Sequence, residues 1–139
     1  MLTLFLNNSI IVLDKQYSGD AMEYNFDNER PIYIQLIKLI EREIVSGRLK
    51  SGERIPSVRE YANSFKVNPN TMQKALMELE KEGLIYTERT NGKYITEDTE
   101  LIKKVKDNLA LELVNDFMID MNNIGISSEE IIKYLEKER

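Results

Sequence analysis

The run Ser57–Gly83, SVREYANSFKVNPNTMQKALMELEKEG, restricts what this chain can fold into more than any other stretch. Ser57 followed three residues later by Glu60 has capping-box spacing, in which the serine hydroxyl accepts from the Glu60 amide and the glutamate reaches back. A short helix is expected to follow, with Val58, Tyr61, Ala62 and Phe65 facing inward. Only Lys66 and Val67 separate it from Asn68-Pro69. Asn is a favoured N-cap, and Pro at the first helical position gives up no hydrogen bond, so a second helix begins there. Its apolar residues Met72, Ala75, Leu76 and Leu79 keep the spacing of a helix buried on one side, and Gly83 supplies the stop.

A short helix, a tight turn and a longer amphipathic helix make a helix-turn-helix. The second helix is informative for what it leaves outside: Asn68, Asn70, Thr71, Gln73 and Lys74 crowd its first turn and polar face. In this motif the N-terminal residues of the second helix enter the major groove. Asn and Gln pair bidentately with adenine, Thr touches a thymine methyl, and Lys reaches guanine or phosphate. The same residues also fit the solvated face of an ordinary helical domain, and two short helices do not decide between the readings.

The flanking segments add to the motif. Pro31 opens a helix through about Ser46, with Ile32, Leu36, Ile40 and Ile44 on one face and Tyr33, Ile37 and Val45 widening it. Lys38, Glu41, Arg42 and Glu43 are its expected wet side. Gly47–Gly52 reads as a loop, anchored inward by Leu49 and Ile55. Beyond Gly83 the period changes to two. Leu84–Glu88 and Lys93–Thr96 are short, rich in β-formers and separated by Arg89-Thr90-Asn91-Gly92, where Asn-Gly is a strong hairpin signal. Three helices and a two-stranded hairpin make a winged helix. The hairpin tip carries Arg89, Asn91 and Lys93, suited to a phosphate backbone or a minor groove.

Composition narrows the chemistry. The 139 residues hold no cysteine and no histidine, which removes disulfides, thiolate metal sites, the commonest general base and the commonest metal ligand. No P-loop or dinucleotide fingerprint is present. No cofactor and no metal are expected. The net charge of −5 is unevenly divided. Residues 31–96 carry eleven basic and eight acidic side chains, net +3, whereas residues 1–30 are net −3 and residues 97–139 net −5. The positive segment is the one with the helix-turn-helix, which supports a nucleic-acid partner.

At the N-terminus, MLTLFLNNSIIVL is too short and too interrupted for a membrane span, and it lacks the basic region of a signal peptide. Ser9–Leu13 alternates as a small strand would, and Tyr17-Ser18-Gly19-Asp20 reads as a turn. Residues 1–21 are expected to form an extension outside the core, with the domain opening at Met22. At the other end Thr96–Thr99 reads as a linker, with Asp98 or Thr99 capping a helix from Glu100 to about Asn122. That helix carries two apolar stripes: Ile102, Val105, Leu109 and Leu113, then Ala110, Val114, Phe117 and Met121. One stripe suffices for a lone surface helix, so two are read as packing on the chain itself and on a second copy. Folding of both stripes onto the winged helix within a monomer is the competing reading. After Gly125, Ser127 and Glu130 form another capping box, opening a last helix with Ile131, Ile132 and Leu135 on one face up to about Lys137.

The order of residues in PIYIQLIKLIEREIVSGRLKSGERIPSVREYANSFKVNPNTMQKALMELEKEGLIYTERTNGKYIT resembles the DNA-binding domain of the GntR family of bacterial transcription regulators. The resemblance covers about half the chain. It rests on Pro-x-Tyr-x-Gln, a Gly-x-Leu-x-x-Gly loop, Pro-Ser-x-Arg and the Leu-Glu-x-Glu-Gly-Leu-Ile exit. It implies a winged helix that binds operators as a dimer, with DNA roles for Arg59, for Thr71 and its neighbours, and for Gly92 in the wing; Ser57 joins this set beside Arg59. Pro69 and Gln73 stand where many members carry basic residues, and Thr90 and Lys93 replace the Gly and Thr usual in the wing. Base preference therefore does not transfer. The Asn-Pro-Asn-Thr run looks like the YtrA-like branch, whose C-terminal part is small and helical.

The expected architecture is mainly α with a small β-hairpin: a winged helix-turn-helix over residues 22–96, then a two-helix dimerisation segment over 97–139. Leu109, Leu113, Val114, Phe117 and Met121 are the candidate dimer contacts. The expected function is a cytoplasmic, homodimeric regulator, a repressor on a palindromic double-stranded DNA operator, with no membrane partner. Forty-odd residues in two helices leave little interior for a drug-sized pocket, and no small-molecule effector is assigned. The alternative is a winged-helix protein-interaction module without DNA binding. An enzyme built on Glu78, Glu80 and Glu82 is disfavoured, since these read as solvated charges beside Lys81.

Overall fold

The computed structural model describes residues 24–138 and the backbone of two further strands, Leu2–Leu6 (β1) and Ser9–Leu13 (β2). These two strands pair antiparallel, Leu2 opposite Leu13 and Leu6 opposite Ser9, so the strand expected at Ser9–Leu13 has a partner that the sequence reading did not supply. The turn expected at Tyr17–Asp20 lies outside the described residues.

Helix α1 (Ile32–Val45) starts behind Pro31. Before it, the Gln35 side chain clamps the incoming turn. It accepts from the Asp27 amide at 2.9 Å and donates to the Arg30 carbonyl at 2.9 Å, which is how a buried glutamine is satisfied. Helix α2 (Val58–Phe65) has the expected N-cap, Ser57 Oγ accepting from the Glu60 amide at 3.2 Å. Helix α3 (Pro69–Lys81) is capped by Asn68, whose Oδ1 accepts from the Asn70 amide at 2.8 Å. Strands β3 (Ile85–Glu88) and β4 (Gly92–Ile95) form the hairpin. Leu36, Ile40, Met72, Leu76, Leu79, Leu84, Ile85 and Ile95 are fully buried between α1, α3 and the hairpin, each contributing about 1.5–3 kcal/mol of burial.

Three expectations are corrected here. Ile32, placed on the inner face, is exposed: it is the first residue of α1, and the core begins a turn later at Gln35 and Leu36. Val58 is half-buried, not a full core member. Glu41, placed on the wet side, is only 5% exposed. It lies one turn after Ile37 and three residues before Ile44, so it shares their side of the helix.

Burial, countered by Lys38 (3.6 Å away) and reinforced by a hydrogen bond with Glu82, pushes the Glu41 carboxyl up to about 7. A carboxyl of ordinary value 4.5 that titrates near 7 when folded holds a proton that the unfolded chain has released. Stability from this group therefore falls as pH rises from about 4.5 to 7 and stays low above that window. Glu41→Gln is expected to be more stable than the parent at pH 8 by roughly 1–3 kcal/mol and nearly equal to it at pH 4.5. Urea denaturation at both pH values checks this; an unchanged difference between the two would refute it.

The C-terminal part begins without a loose linker. Thr96 is buried, its amide bonds the Leu84 carbonyl, and its hydroxyl accepts from the Asp98 amide. Asp98 Oδ1 then accepts from the Leu101 amide at 3.1 Å, the expected cap of α4 (Thr99–Asn123). Helix α5 (Ser128–Lys137) starts at Ser127, which accepts from the Glu130 amide. The chain divides into two compact units, Met1–Ile102 and Lys103–Arg139. In the second, Leu109 and Ile131 are buried, while Ile132 and Leu135, expected to share one face of α5 with Ile131, are exposed. Among the described residues no helix is long and apolar enough to cross a membrane.

Candidate nucleic-acid interface

Only Lys66, Val67 and Asn68 separate α2 from α3, because Lys66 adopts a left-handed conformation (φ 54°), which lets the Val67 amide reach back to the Ala62 carbonyl at 3.0 Å. The chain then enters α3 directly through the Asn68 cap and Pro69. This geometry sets the start of α3 beside the start of α2. Between them lies a groove of about 570 Å³, lined among others by Ser57, Arg59, Asn63, Val67 and Pro69.

The predicted polar residues of α3 separate by role. Asn70 and Gln73 are exposed with no side-chain partner among the described residues. Thr71 is half-buried. Asn68 spends its oxygen on the cap. The Lys74 ammonium sits 3.8 Å from the centre of the Tyr33 ring, a cation–π contact that lays it against α1. No acidic residue occurs in α3 before Glu78. On α2, Ser57 and Arg59 are exposed; the Ser57 hydroxyl accepts in the cap and keeps its hydrogen to donate. Arg59 makes no ion pair among the described residues.

The wing differs in detail from its sequence reading. Glu88 pairs with Gly92, so the loop is Arg89-Thr90-Asn91 and Gly92 is the first residue of β4, not the last of a four-residue connection. With φ +98°, Gly92 has the positive φ that favours glycine, at the junction of the loop and β4. Arg89 and Asn91 are exposed, the Asn91 amide 3.5 Å from a Glu88 oxygen. Lys93 is drawn inward. Its ammonium donates to Thr87 Oγ1 at 2.8 Å and to Glu80 Oε2 at 3.4 Å, and only 17% of its side chain is exposed. The Thr87 hydroxyl donates to the other Glu80 oxygen at 2.6 Å. That bond first, and the Lys93 charge after it, hold the Glu80 carboxyl below its ordinary value. The trio fastens the hairpin to α3.

Sequence reasoning missed a third strand-like segment in the wing. The Ile55 amide donates to the Lys93 carbonyl at 3.0 Å and the Ile95 amide to the Glu53 carbonyl at 2.9 Å, bridging Arg54 to Tyr94. Three residues are too few for a period-two signal, and Gly52 and Pro56 on either side read as loop. The exposed Arg54 is thereby brought to the hairpin.

Residues 32–95 match the family described as bacterial regulatory proteins, gntR family. The chain is 37% identical over 112 residues to the uncharacterized HTH-type transcriptional regulator YhcF of Bacillus subtilis (strain 168), covering 81% of this chain and 93% of that protein. It is 35% identical over 108 residues to the HTH-type transcriptional repressor YtrA of the same organism, covering 77% and 83%. Among solved structures, a GntR family transcriptional regulator from Listeria monocytogenes superposes with a TM-score of 0.74 at 42% identity, covering 81% of this chain and 98% of that one. The AraR DNA-binding domain in complex with operator ORX1 matches with a TM-score of 0.51 at 26% identity, over 55% of this chain and 98% of that one.

Proposed function

The chain belongs to the gntR family of bacterial regulatory proteins and is a transcription regulator, not an enzyme; from that premise we propose that it binds a palindromic operator in double-stranded DNA as a homodimer and represses from it in the cytoplasm. The observation that carries the reading is the first half of α3, which exposes Asn70 and Gln73, holds no acid before Glu78, and starts beside an unpaired Arg59. An amide and a guanidinium so placed fit adenine and guanine edges or the flanking phosphates. The operator complex of the AraR domain supports the same use of this fold, and the repressor YtrA supports the sign of regulation. Asn70, Thr71 and Gln73 are assigned to base edges, and Ser57, Arg59, Arg89 and Asn91 to backbone and groove contacts. Asn68, Lys74, Gly92 and Lys93 hold these elements in place.

The homodimer reading rests on α4. Val114 and Phe117, on the second stripe, are 56% and 37% exposed, and Leu113, on the first, is 37% exposed, so both stripes offer apolar surface to a partner. A second copy related by a two-fold axis covers it and matches a palindrome.

Selection of bound sequences from random duplex DNA tests the reading directly. An inverted repeat is expected; enrichment of no sequence at all refutes it. On the recovered duplex, Arg59→Ala is expected to weaken binding by about 1–3 kcal/mol while circular dichroism stays unchanged. A folded variant that binds as tightly as the parent removes Arg59 from the interface.

A further inference from the structure

The cations around the helix-turn-helix and wing fall into two groups. Lys93 is held by Glu80 and Thr87, Lys74 by the Tyr33 ring, and Lys81 by Glu78 at 3.0 Å. Arg54 has no ion pair or hydrogen bond through its side chain among the described residues, and its head group has a defined seat. A Cβ on Gly92 would meet Arg54 Nε at 3.3 Å and Nη2 at 3.4 Å, so the guanidinium lies along the bare Cα of the residue that closes the hairpin loop. Two bonds fix the backbone on either side of Arg54, from Ile55 to Lys93 and from Ile95 to Glu53. The platform beneath is ordered too. Tyr94, the bridge partner of Arg54, stacks on Tyr86 with ring centres 5.6 Å apart, and its hydroxyl donates to the Asn91 carbonyl of the loop at 3.4 Å. Glu88 is the carboxylate directly across from Gly92, and it faces the Asn91 amide.

We propose that Arg54 is a phosphate contact of the wing, supplied from outside the hairpin and seated on Gly92, so that the tip presents two guanidiniums, Arg54 and Arg89. The inference rests on the DNA-binding reading and deepens it. An arginine fork seated over a glycine presents paired donors to phosphate oxygens. The lysine in the hairpin itself is already spent on Glu80. Gly92 then serves two ends: it supplies the positive φ that the loop needs, and it leaves the space that the guanidinium fills.

The test uses the full chain and the duplex recovered by selection, with affinity measured at several salt concentrations. Arg54→Gln is expected to bind about 5- to 50-fold more weakly near physiological salt and to lower the magnitude of the log–log salt slope by about 0.9 for each protomer engaged. Arg54→Lys should recover most of the slope, because the charge returns. Lys81→Gln removes another exposed charge, from the far end of α3, and should leave the slope at the parental value. Thermal melts of all variants are expected to coincide with the parent. If Arg54→Gln keeps the parental slope, the assignment is overturned while the DNA-binding reading stands. A fall in slope equal to that of Lys81→Gln likewise overturns it, since the effect is then one of overall charge. Should the parent itself bind no duplex at any salt, both readings fall together.

Discussion

Phe117→Asp is expected to turn the proposed dimer into monomers while leaving the winged helix folded. Phe117 projects from α4 on the same stripe as Val114 and Met121, and its own chain covers it only in part. If a second copy covers the remainder, the substitution places an unpaired carboxylate in a dry seam, at a cost of several kcal/mol for each copy. At 1.4 kcal/mol per decade, a cost of about 3 kcal/mol already weakens association roughly 100-fold. The core of the winged helix, from Leu36 and Ile40 to Leu79 and Ile85, contains no residue of α4, so helical content and melting of that unit should persist. Affinity for a single half-site should change little. Affinity for the full palindrome should collapse, because one dimer gains from holding both halves at once. Sedimentation and DNA binding are read on the same sample. A variant that remains a dimer places the seam on another face, and one that unfolds outright assigns Phe117 to the interior of the chain.

What could be read from the sequence here was what local chemistry decides. The Ser57, Asn68 and Ser127 caps each need only one side chain and an amide two or three residues away, so they were visible as short spacings. The buried faces of α2 and α3 were visible for the same reason, since a helix that packs on one side repeats its apolar residues. Glu41 was misplaced because a helical period locates a stripe but not its edges, and the residue sits at an edge where α1 meets the end of α3 through Glu82. The wing shows a second kind of limit. Asn-Gly announced a hairpin, but whether the connection has four residues or three depends on the strand register, and the register puts Gly92 opposite Glu88.

Charges were the hardest part of the candidate interface to read. Lys93 and Arg54 are both single basic residues among polar neighbours, and nothing in their spacing separates them. What separates them is tertiary. Glu80 reaches Lys93 across thirteen residues, while Arg54 arrives at the wing through a three-residue bridge from before α2. The apolar residues of α4 present the reverse case. Both stripes were legible, but which of their members the chain covers by itself was not, and only Leu109 proves to be buried.

Binding to DNA should be steeply salt-dependent, and the pairing just described sets the expected size. Per protomer, Arg54, Arg59, Lys66 and Arg89 are exposed cations with no ion pair among the described residues, whereas Lys74 and Lys93 are already engaged. A dimer using all four pairs would neutralise about eight phosphates, within the range of roughly five to ten, and each adds about −0.9 to the slope of log affinity against log salt. Affinity should then fall roughly 10³- to 10⁵-fold between about 50 and 200 mM salt. The net charge of −5 does not oppose this, because residues 97–139 carry it and the segment from 31 to 96 is net +3. Titrations at four or five salt concentrations on one duplex give the slope. A slope near zero would mean that few phosphates are neutralised, and the polar face of α3 would then fit a protein partner in place of DNA. An intermediate slope of about −4 would instead count one protomer's four cations, pointing to a monomer on a half-site and, with Phe117→Asp in hand, to a failure of the seam and not of the interface.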